Sequence, residues 1–218
     1  MNKNILVTGA KGQLGSEINR ISSTFPDMKF FFTGVADLDI SDKSAIENIC
    51  KENRIHSIIN CGAYTAVDKA EEDAETADTI NHLAVRYLAQ VAKDQNISLV
   101  HISTDYIFDG KNYRPYLEND RPAPQSVYGT TKLLGEQALL TINPENSIII
   151  RTSWVYSSFG NNFVKTMLRL GNDKDELGVI FDQVGTPTYA ADLAKVILKI
   201  LPQLNNEDVQ TYHYSNEG

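Results

Sequence analysis

The stretch "ILVTGAKGQLGSEI" (residues 5–18) decides the fold. Its apolar run Ile5-Leu6-Val7 shows no polar alternation, as expected of a strand covered on both faces in a parallel sheet. Gly9, Gly12 and Gly15 follow in a G-x-x-G-x-x-G register, and Leu14, Ile18 and Ile21 then recur at helical spacing. Strand, glycine loop and helix in that order open a β-α-β unit. Glycines there permit a sharp turn, let backbone N–H groups approach a pyrophosphate, and let the helix pack closely on the sheet, with the anion at the helix's positive end. They serve equally in a tight turn that holds no ligand. Gly9, Lys11, Gly12, Gln13, Leu14 and Gly15 are therefore candidate cofactor-binding residues.

The same alternation continues outward: "FFFTG" then "DKSAIENICKEN", "SIINCGA" then "TADTINHLAVRYLAQVAKDQ", and later "SLVHIST". Repeated β-α-β units predict an α/β fold, a doubly wound parallel sheet of Rossmann type. One further strand is predicted over 147–156, "SIIIRTSWVY". A last helix is predicted in "TPTYAADLAKVILKIL", with Thr188 or a neighbour as cap and Leu193, Val196, Ile197 and Ile200 on its apolar face. The loop "FDGKNYRPYLENDRPAPQS" (108–126) is long for a compact domain, and such loops usually carry function or are disordered.

Composition narrows the partners. With 42% hydrophobic and 22% charged residues in 218, the chain can bury an ordinary globular core. Its net charge of -8, from 20 Lys and Arg against 28 Asp and Glu without a basic cluster, argues against nucleic acid and against an anionic membrane surface. A small molecule or a protein is the expected partner. No apolar run approaches a membrane span, and "MNKNILVTGA" enters a strand directly, so a cytoplasmic protein is expected. Cys50 and Cys61 have no ligand-type spacing to the four histidines; they read as reduced structural thiols, and no metal is assigned.

A dinucleotide site usually has an acid at the end of the second strand to hold the adenosine ribose. Here that strand ends in Thr33 and Gly34, and the first carboxylates are Asp37 and Asp39. No arginine stands nearby for a 2′-phosphate, although Lys11 is within reach of one. The sequence thus leaves NADPH and NADH both open as cofactor.

In "SVYGTTKLLGEQ" (126–137), Tyr128 and Lys132 lie one helical turn apart and project from one face. Reducing a ketone requires a hydride at carbon and a proton at oxygen. A phenol with a pKa near ~10 is a weak acid, and a neighbouring ammonium is expected to bring that pKa down.

The glycine register, the Ser103-Thr104 pair of "HISTDYIFDG" and Tyr128-x-x-x-Lys132, in that order, resemble an extended short-chain dehydrogenase/reductase. Within that superfamily "TGAKGQLG", "NCGAYTAVDKAE", "STDYIFDG", "VYGTTKLLGEQ", "RTSWVYSSFGNNFVKTML" and "DQVGTPTYAADLA" resemble the dTDP-4-dehydrorhamnose reductases, from residue 4 to the last residue. The resemblance implies NAD(P)H-dependent reduction of the C4 keto group of a nucleotide sugar, the last step to dTDP-L-rhamnose for surface polysaccharide. It implies Tyr128 as general acid, Lys132 as its tuning partner and a contact of the nicotinamide ribose, and Thr104 as the group orienting the substrate carbonyl. Ala63, Tyr64 and Thr65 would line the cofactor, Asp39 and Ile40 would flank its adenine, and Asp105 and Trp154 would touch the sugar.

Asn81 resembles the superfamily asparagine that supports a proton-relay water, although a solvated or structural asparagine fits as well. The cluster Glu71, Glu72, Asp73 and Glu75 reads as a solvated charge run at a helix start. The resemblance divides the chain into a cofactor domain with the catalytic residues (1–156) and a partial substrate lobe (157–218), with elements that return to the main domain. Relatives continue past "YHYSNEG", so the substrate lobe is expected to be truncated. A homodimer is a possible assembly. Two other readings fit: a reductase or epimerase of another nucleotide sugar, and a non-catalytic chain like the regulatory subunit of methionine adenosyltransferase. The intact Thr104, Tyr128 and Lys132 favour an enzyme.

Overall fold

A computed structural model describes residues 3–179 and 183–217. Its first strand β1 (Lys3–Thr8) leads through the glycine loop into helix α1 (Gln13–Ile21), followed by β2 (Met28–Phe32), α2 (Lys43–Glu52) and β3 (Ser57–Asn60). Two short helices, α3 (Val67–Ala70) and α4 (Ala74–Asp78), precede a π-helical turn (Thr79–Leu83) that runs directly into α5 (Ala84–Asp94). Then come β4 (Ser98–Thr104), α6 (Val127–Ile142), β5 (Ile148–Thr152), β6 (Val155–Tyr156), α7 (Phe163–Asp173), β7 (Thr188–Tyr189), α8 (Ala190–Ile200) and β8 (Gln210–His213).

Six strands form one sheet in the order β2-β1-β3-β4-β5-β8, all neighbours parallel. The expected doubly wound sheet is therefore present. Leu6, Ile58, Leu99 and Ile149 point to one face, where residues of α2, α5 and α6 cover them. Their strand neighbours Ile5, Ile59, Val100 and Ile148 point to the other face, under α1 and α8. Strands buried on both sides need no polar alternation, which is why these runs are continuously apolar. Because β2 and β3 flank β1 on opposite sides, the chain reverses direction at the carboxyl ends of β1 and β3. Ligands of open α/β sheets bind in the crevice at such a reversal.

One local expectation is corrected and another narrowed. The predicted strand over 147–156 breaks at Ser153-Trp154, where Trp154 takes a left-handed φ of 46°. Only its first part, β5, stays in the main sheet, while β6 pairs with β7 in a separate ribbon. The N-cap position of α8 falls on the neighbour Tyr189, without a side-chain cap, and not on Thr188. Thr188 is buried in β7, and its hydroxyl accepts from Thr152 Oγ1 at 3.1 Å. Asn216 serves the helix start instead, with Oδ1 accepting from the Tyr189 N–H at 2.6 Å. On α8, Leu193, Ile197 and Leu198 are buried, and Val196 and Ile200 lie at the rim of the apolar face. Of the motif "DQVGTPTYAADLA", Asp182 lies outside the described residues.

Candidate active site

The glycine loop is shaped by close backbone approaches. Gly9 has φ 63°, and a Cβ on it would lie 2.6 Å from the Cys61 carbonyl carbon and the Gly62 nitrogen, so the β1 and β3 turns touch here. A Cβ on Gly15 would lie 2.5 Å from the Gly9 carbonyl oxygen, which lets α1 start directly over the loop. Gly12 occupies the helix N-cap without a side chain, and the first turn of α1 carries no acid. Its leading N–H groups therefore have no side-chain acceptor, and a helix start in that condition suits an anion. This cradle fits the pyrophosphate of a dinucleotide. Leu14 contributes only backbone, since its side chain is in the core. Gln13 turns outward to the later lobe: its Nε2 donates to Val155 O at 3.1 Å, and its Oε1 accepts from Asn162 Nδ2 at 2.9 Å.

At the end of β2, the Lys11 side chain runs along Gly34, within 3.6 Å of where a Cβ would stand. Asp37 Oδ2 accepts from the Gly34 N–H at 2.9 Å, so this carboxylate closes the turn. Asp39 is likewise engaged locally. Its Oδ1 accepts from the Ser41 hydroxyl and backbone N–H, at 2.6 and 2.8 Å, and these bonds hold its carboxyl below the usual range. Ile40 leans over Gly62 at the end of β3, where its Cδ1 is 3.2 Å from the position of a Cβ.

Ala63, Tyr64 and Thr65 continue from β3 along the same edge. Asn81, buried in the π-helical turn, clamps Tyr64 from both sides: its Oδ1 accepts from Tyr64 N at 2.9 Å, and its Nδ2 donates to Tyr64 O at 3.0 Å. The second Nδ2 hydrogen bond reaches Thr131 Oγ1 at 3.2 Å. The Asn81 side chain thus holds structure. The acidic run is not merely solvated either. Glu71 Oε1 accepts from the Val127 N–H at 2.8 Å, which satisfies a free donor at the start of α6, and Asp73 accepts from the Tyr64 hydroxyl at 3.2 Å.

Helix α6 delivers Tyr128 and Lys132. Ser126 caps it, accepting from Gly129 N at 3.1 Å. Gly129 and Gly135 lie against the carbonyl oxygens of Tyr106 and Asn81, with no room for a Cβ at either place. Tyr128 is buried beside Thr104 and meets the Tyr106 ring edge-on at 5.5 Å. Thr104, the last residue of β4, donates to Asp105 Oδ1 at 3.1 Å and accepts from Tyr106 N at 3.2 Å. Burial raises the Asp105 carboxyl. Trp154 stands on the exposed side with its ring lying on Gly185.

The expected electrostatics are corrected for the protein alone. Burial pushes the Tyr128 phenol up to about 12, against a smaller opposing influence of the Thr104 hydroxyl, and Lys132 does not figure among the groups that shift it. Lys132, only 2% exposed, donates to the Ile102 carbonyl at 2.6 Å, and its Nζ lies 3.5 Å from His101 Nε2. Burial lowers the Lys132 ammonium to about 8. The cysteines are free thiols, each pushed up to about 12 by burial.

Sequence reading passed over a second polar layer under the site. Thr8 donates to Asn60 Oδ1 at 2.6 Å, and Asn60 Nδ2 lies 3.1 Å from His101 Nδ1. Farther along, Arg151 pairs with Glu136 at 2.8 Å, both buried. The available signals were a histidine and an arginine inside otherwise apolar strands, and a glutamate one turn after Lys132.

Residues 3–218 match the family described as RmlD substrate binding domain. The dTDP-4-dehydrorhamnose reductase of Aggregatibacter actinomycetemcomitans is 42% identical over 216 residues, 98% of this chain and 73% of that protein. Among solved structures, a dTDP-4-dehydrorhamnose reductase from Clostridium acetobutylicum superposes with a TM-score of 0.92 at 45% identity, covering 99% of this chain and 75% of that one. The Bacillus anthracis dTDP-4-dehydrorhamnose reductase in complex with NADP gives 0.93 at 39% identity, covering 100% and 76%.

Proposed function

Since the chain belongs to the dTDP-4-dehydrorhamnose reductase family, we infer that it reduces the C4 keto group of dTDP-4-dehydro-L-rhamnose to dTDP-L-rhamnose, with NADPH or NADH as reductant. The observation that carries the chemistry is the seating of Tyr128 beside Thr104 at the carboxyl end of β4, on the sheet edge that also bears the open helix start of α1.

In this reading the N–H groups of Gln13, Leu14 and Gly15 hold the pyrophosphate, and Ile40, Ala63, Tyr64 and Thr65 line the cofactor. Reduced nicotinamide supplies the hydride when bound. Thr104 positions the substrate oxygen by hydrogen bonding, and Tyr128 gives that oxygen its proton. A phenol held near 12 carries its proton throughout the neutral range, which is the state a donor needs before reduction. The developing alkoxide is a stronger base than a phenolate, so transfer runs downhill once hydride has arrived. Lys132 then resupplies the phenolate. Asp105 and Trp154, flanking Thr104 and the β6 ribbon, are proposed to meet the sugar.

Residues 1–156 are proposed as the cofactor domain. Within 157–218, α8 packs on α1 and β8 extends the main sheet, which leaves α7 and the β7 side of the ribbon as the partial substrate lobe. Lys11, the cation beside Gly34, supports a contact with a 2′-phosphate and hence NADPH. A cytoplasmic location and a homodimer complete the proposal; sedimentation velocity tests the latter.

The deciding assay mixes the protein with dTDP-4-dehydrorhamnose and either reduced nicotinamide and follows cofactor absorbance. Oxidation dependent on the sugar is expected. Cofactor binding without oxidation of either form would refute the reading.

A further inference from the structure

Lys132 has a neighbour that the reaction as described does not use. His101 is fully buried on β4, its Nδ1 3.1 Å from Asn60 Nδ2 and its Nε2 3.5 Å from Lys132 Nζ. The Asn60 amide is not free to turn. The Gly62 backbone N–H, which can only donate, points at Asn60 Oδ1 at 3.2 Å, and the Thr8 hydroxyl approaches the same oxygen at 2.6 Å. Oδ1 is therefore the acceptor and Nδ2 the donor toward His101 Nδ1. An imidazole that accepts at Nδ1 carries its proton on Nε2 when neutral. Burial and the Lys132 charge both lower the His101 pKa well below the ordinary range, so the ring is neutral.

We propose that His101, locked by Asn60 in the Nε2–H tautomer, is a positioning residue that aims a proton donor at Lys132 Nζ and thereby favours its uncharged amine. An Nε2–H cannot accept from an ammonium, whereas it can donate to the lone pair of the amine. The inference rests on the reading of Lys132 as partner of Tyr128. When the Tyr128 proton has passed to the substrate oxygen, one Lys132 N–H proton restores the phenol and leaves a neutral amine, which bulk solvent later reprotonates. His101 stabilises that amine during the interval. The proton goes no deeper, because the Asn60 amide beyond His101 cannot relay it. The charged and titratable groups that act on Lys132 are Glu136 on its own helix and His101 on β4, with Tyr128 one helical turn before it; Arg151 on β5 pairs with Glu136, and Asp105 and Tyr106 act on Tyr128.

The first test needs neither a variant nor turnover. In 15N-histidine-labelled protein, His101 is expected to show a protonated Nε2 and a bare Nδ1 at neutral pH; an Nδ1–H tautomer or an imidazolium overturns the proposal. The second test uses Asn60→Asp, whose carboxylate accepts from Nδ1–H and leaves Nε2 as an acceptor for the ammonium. The alkaline limb of kcat/KM is then expected to move up by about one pH unit, tenfold in the ionisation constant. The double variant Asn60→Asp/His101→Phe keeps the new charge and removes the ring, so the limb should return toward its original position. A limb that stays shifted in the double variant, or never shifts in the single one, overturns the role of His101. A protein that shows the Nε2–H tautomer but oxidises no cofactor would instead sink the reductase reading.

Discussion

Replacing Arg151 by methionine tests how the buried ion pair supports the site. Arg151 Nη2 lies 2.8 Å from Glu136 Oε2, and Arg151 Nε lies 3.1 and 3.2 Å from the two carboxylate oxygens. Both side chains are nearly out of solvent, at 7% and 1% exposed. Removing one partner strands a charge that water cannot reach, which costs about 3–5 kcal/mol, whereas removing both leaves an apolar contact that is near neutral or stabilising. For a chain of this size the single change should lower Tm by roughly 6–20 °C. Arg151→Met/Glu136→Leu should recover to within about 1 kcal/mol of the parent. Activity should not follow stability. Arg151 also donates to Glu118 O at 3.0 Å and lies over the Phe108 ring, so it ties both parts of the 108–126 loop to β5 just before Tyr128. The double variant should be stable yet slow. Urea denaturation with parallel turnover assays decides: a single variant within about 1 kcal/mol of the parent, or a double one no better than the single, would refute the reasoning.

Tyr128→Phe keeps the ring and loses the proton, so kcat should fall by about 10²–10⁴-fold with cofactor affinity unchanged; parent-level turnover would remove Tyr128 as the donor. Gly15→Ala puts a Cβ 2.5 Å from Gly9 O and 2.7 Å from Ala10 Cα, both backbone, so the loop must shift. Cofactor affinity measured by fluorescence titration should drop at least about tenfold, the effect of displacing an anion cradle, and an unchanged Kd would contradict the site. Lys11→Met should raise KM for NADPH by about fivefold and leave NADH alone, the scale of one exposed charge contact. Equal effects on both cofactors would exclude a 2′-phosphate contact. Lys132 gives a stability signature: its folded pKa of about 8 lies below the ordinary 10.5, so the unfolded chain binds the extra proton between those values. Its contribution to unfolding free energy therefore rises with pH from about 8 toward 10.5, by up to roughly 3 kcal/mol. Cys50 and Cys61, raised from 9.0 to about 12, act in the opposite sense above pH 9, and Tyr128, raised to about 12, does so above pH 10, so the clean window is pH 8 to 9. In Lys132→Met the rise should vanish, and a parent-like slope would show that the lysine is not the group responsible.

The parts legible in sequence were those set by local periodicity. Apolar runs without alternation gave the two-sided strands, the spacing of Gly9, Gly12 and Gly15 gave the loop, and one helical turn gave the Tyr128 and Lys132 face. The missed parts depend on distant partners. Nothing local marks Trp154 for a left-handed backbone, because the break there lets β6 leave the sheet and pair with β7. Thr188 has the residue type of a cap, but its hydroxyl is taken by Thr152 across the fold. Glu71 looks like surface charge until α6, far along the chain, brings the Val127 N–H to it. Asn81 fits a relay role or a structural one equally well in sequence; only the clamp on Tyr64 decides how its side chain is used.

Helix α6 also explains how a site of this kind keeps its geometry without an apolar stripe to seat the helix. Its inward positions include Lys132, Glu136, Gly129 and Gly135, so hydrophobic burial alone would leave its register loosely set. Directional contacts fix it instead. Ser126 and Glu71 hold the first turn, and two glycines rest on the carbonyls of Tyr106 and Asn81. Beyond the last turn, Asn143 takes a left-handed conformation and bonds both Asp208 and the Val209 N–H at 2.8 Å, joining the helix to the approach to β8. These hydrogen bonds, 2.8 to 3.1 Å long, weaken steeply when stretched or bent, while misplacing reacting groups by about 1 Å can cost on the order of 10²-fold in rate. Loosening any of them should therefore slow the proton transfer before it unfolds the protein. The same logic accounts for the buried polar groups: Lys132, the neutral His101 and the Glu136–Arg151 pair contribute less to holding the sheet together than to setting where the Tyr128 hydroxyl stands.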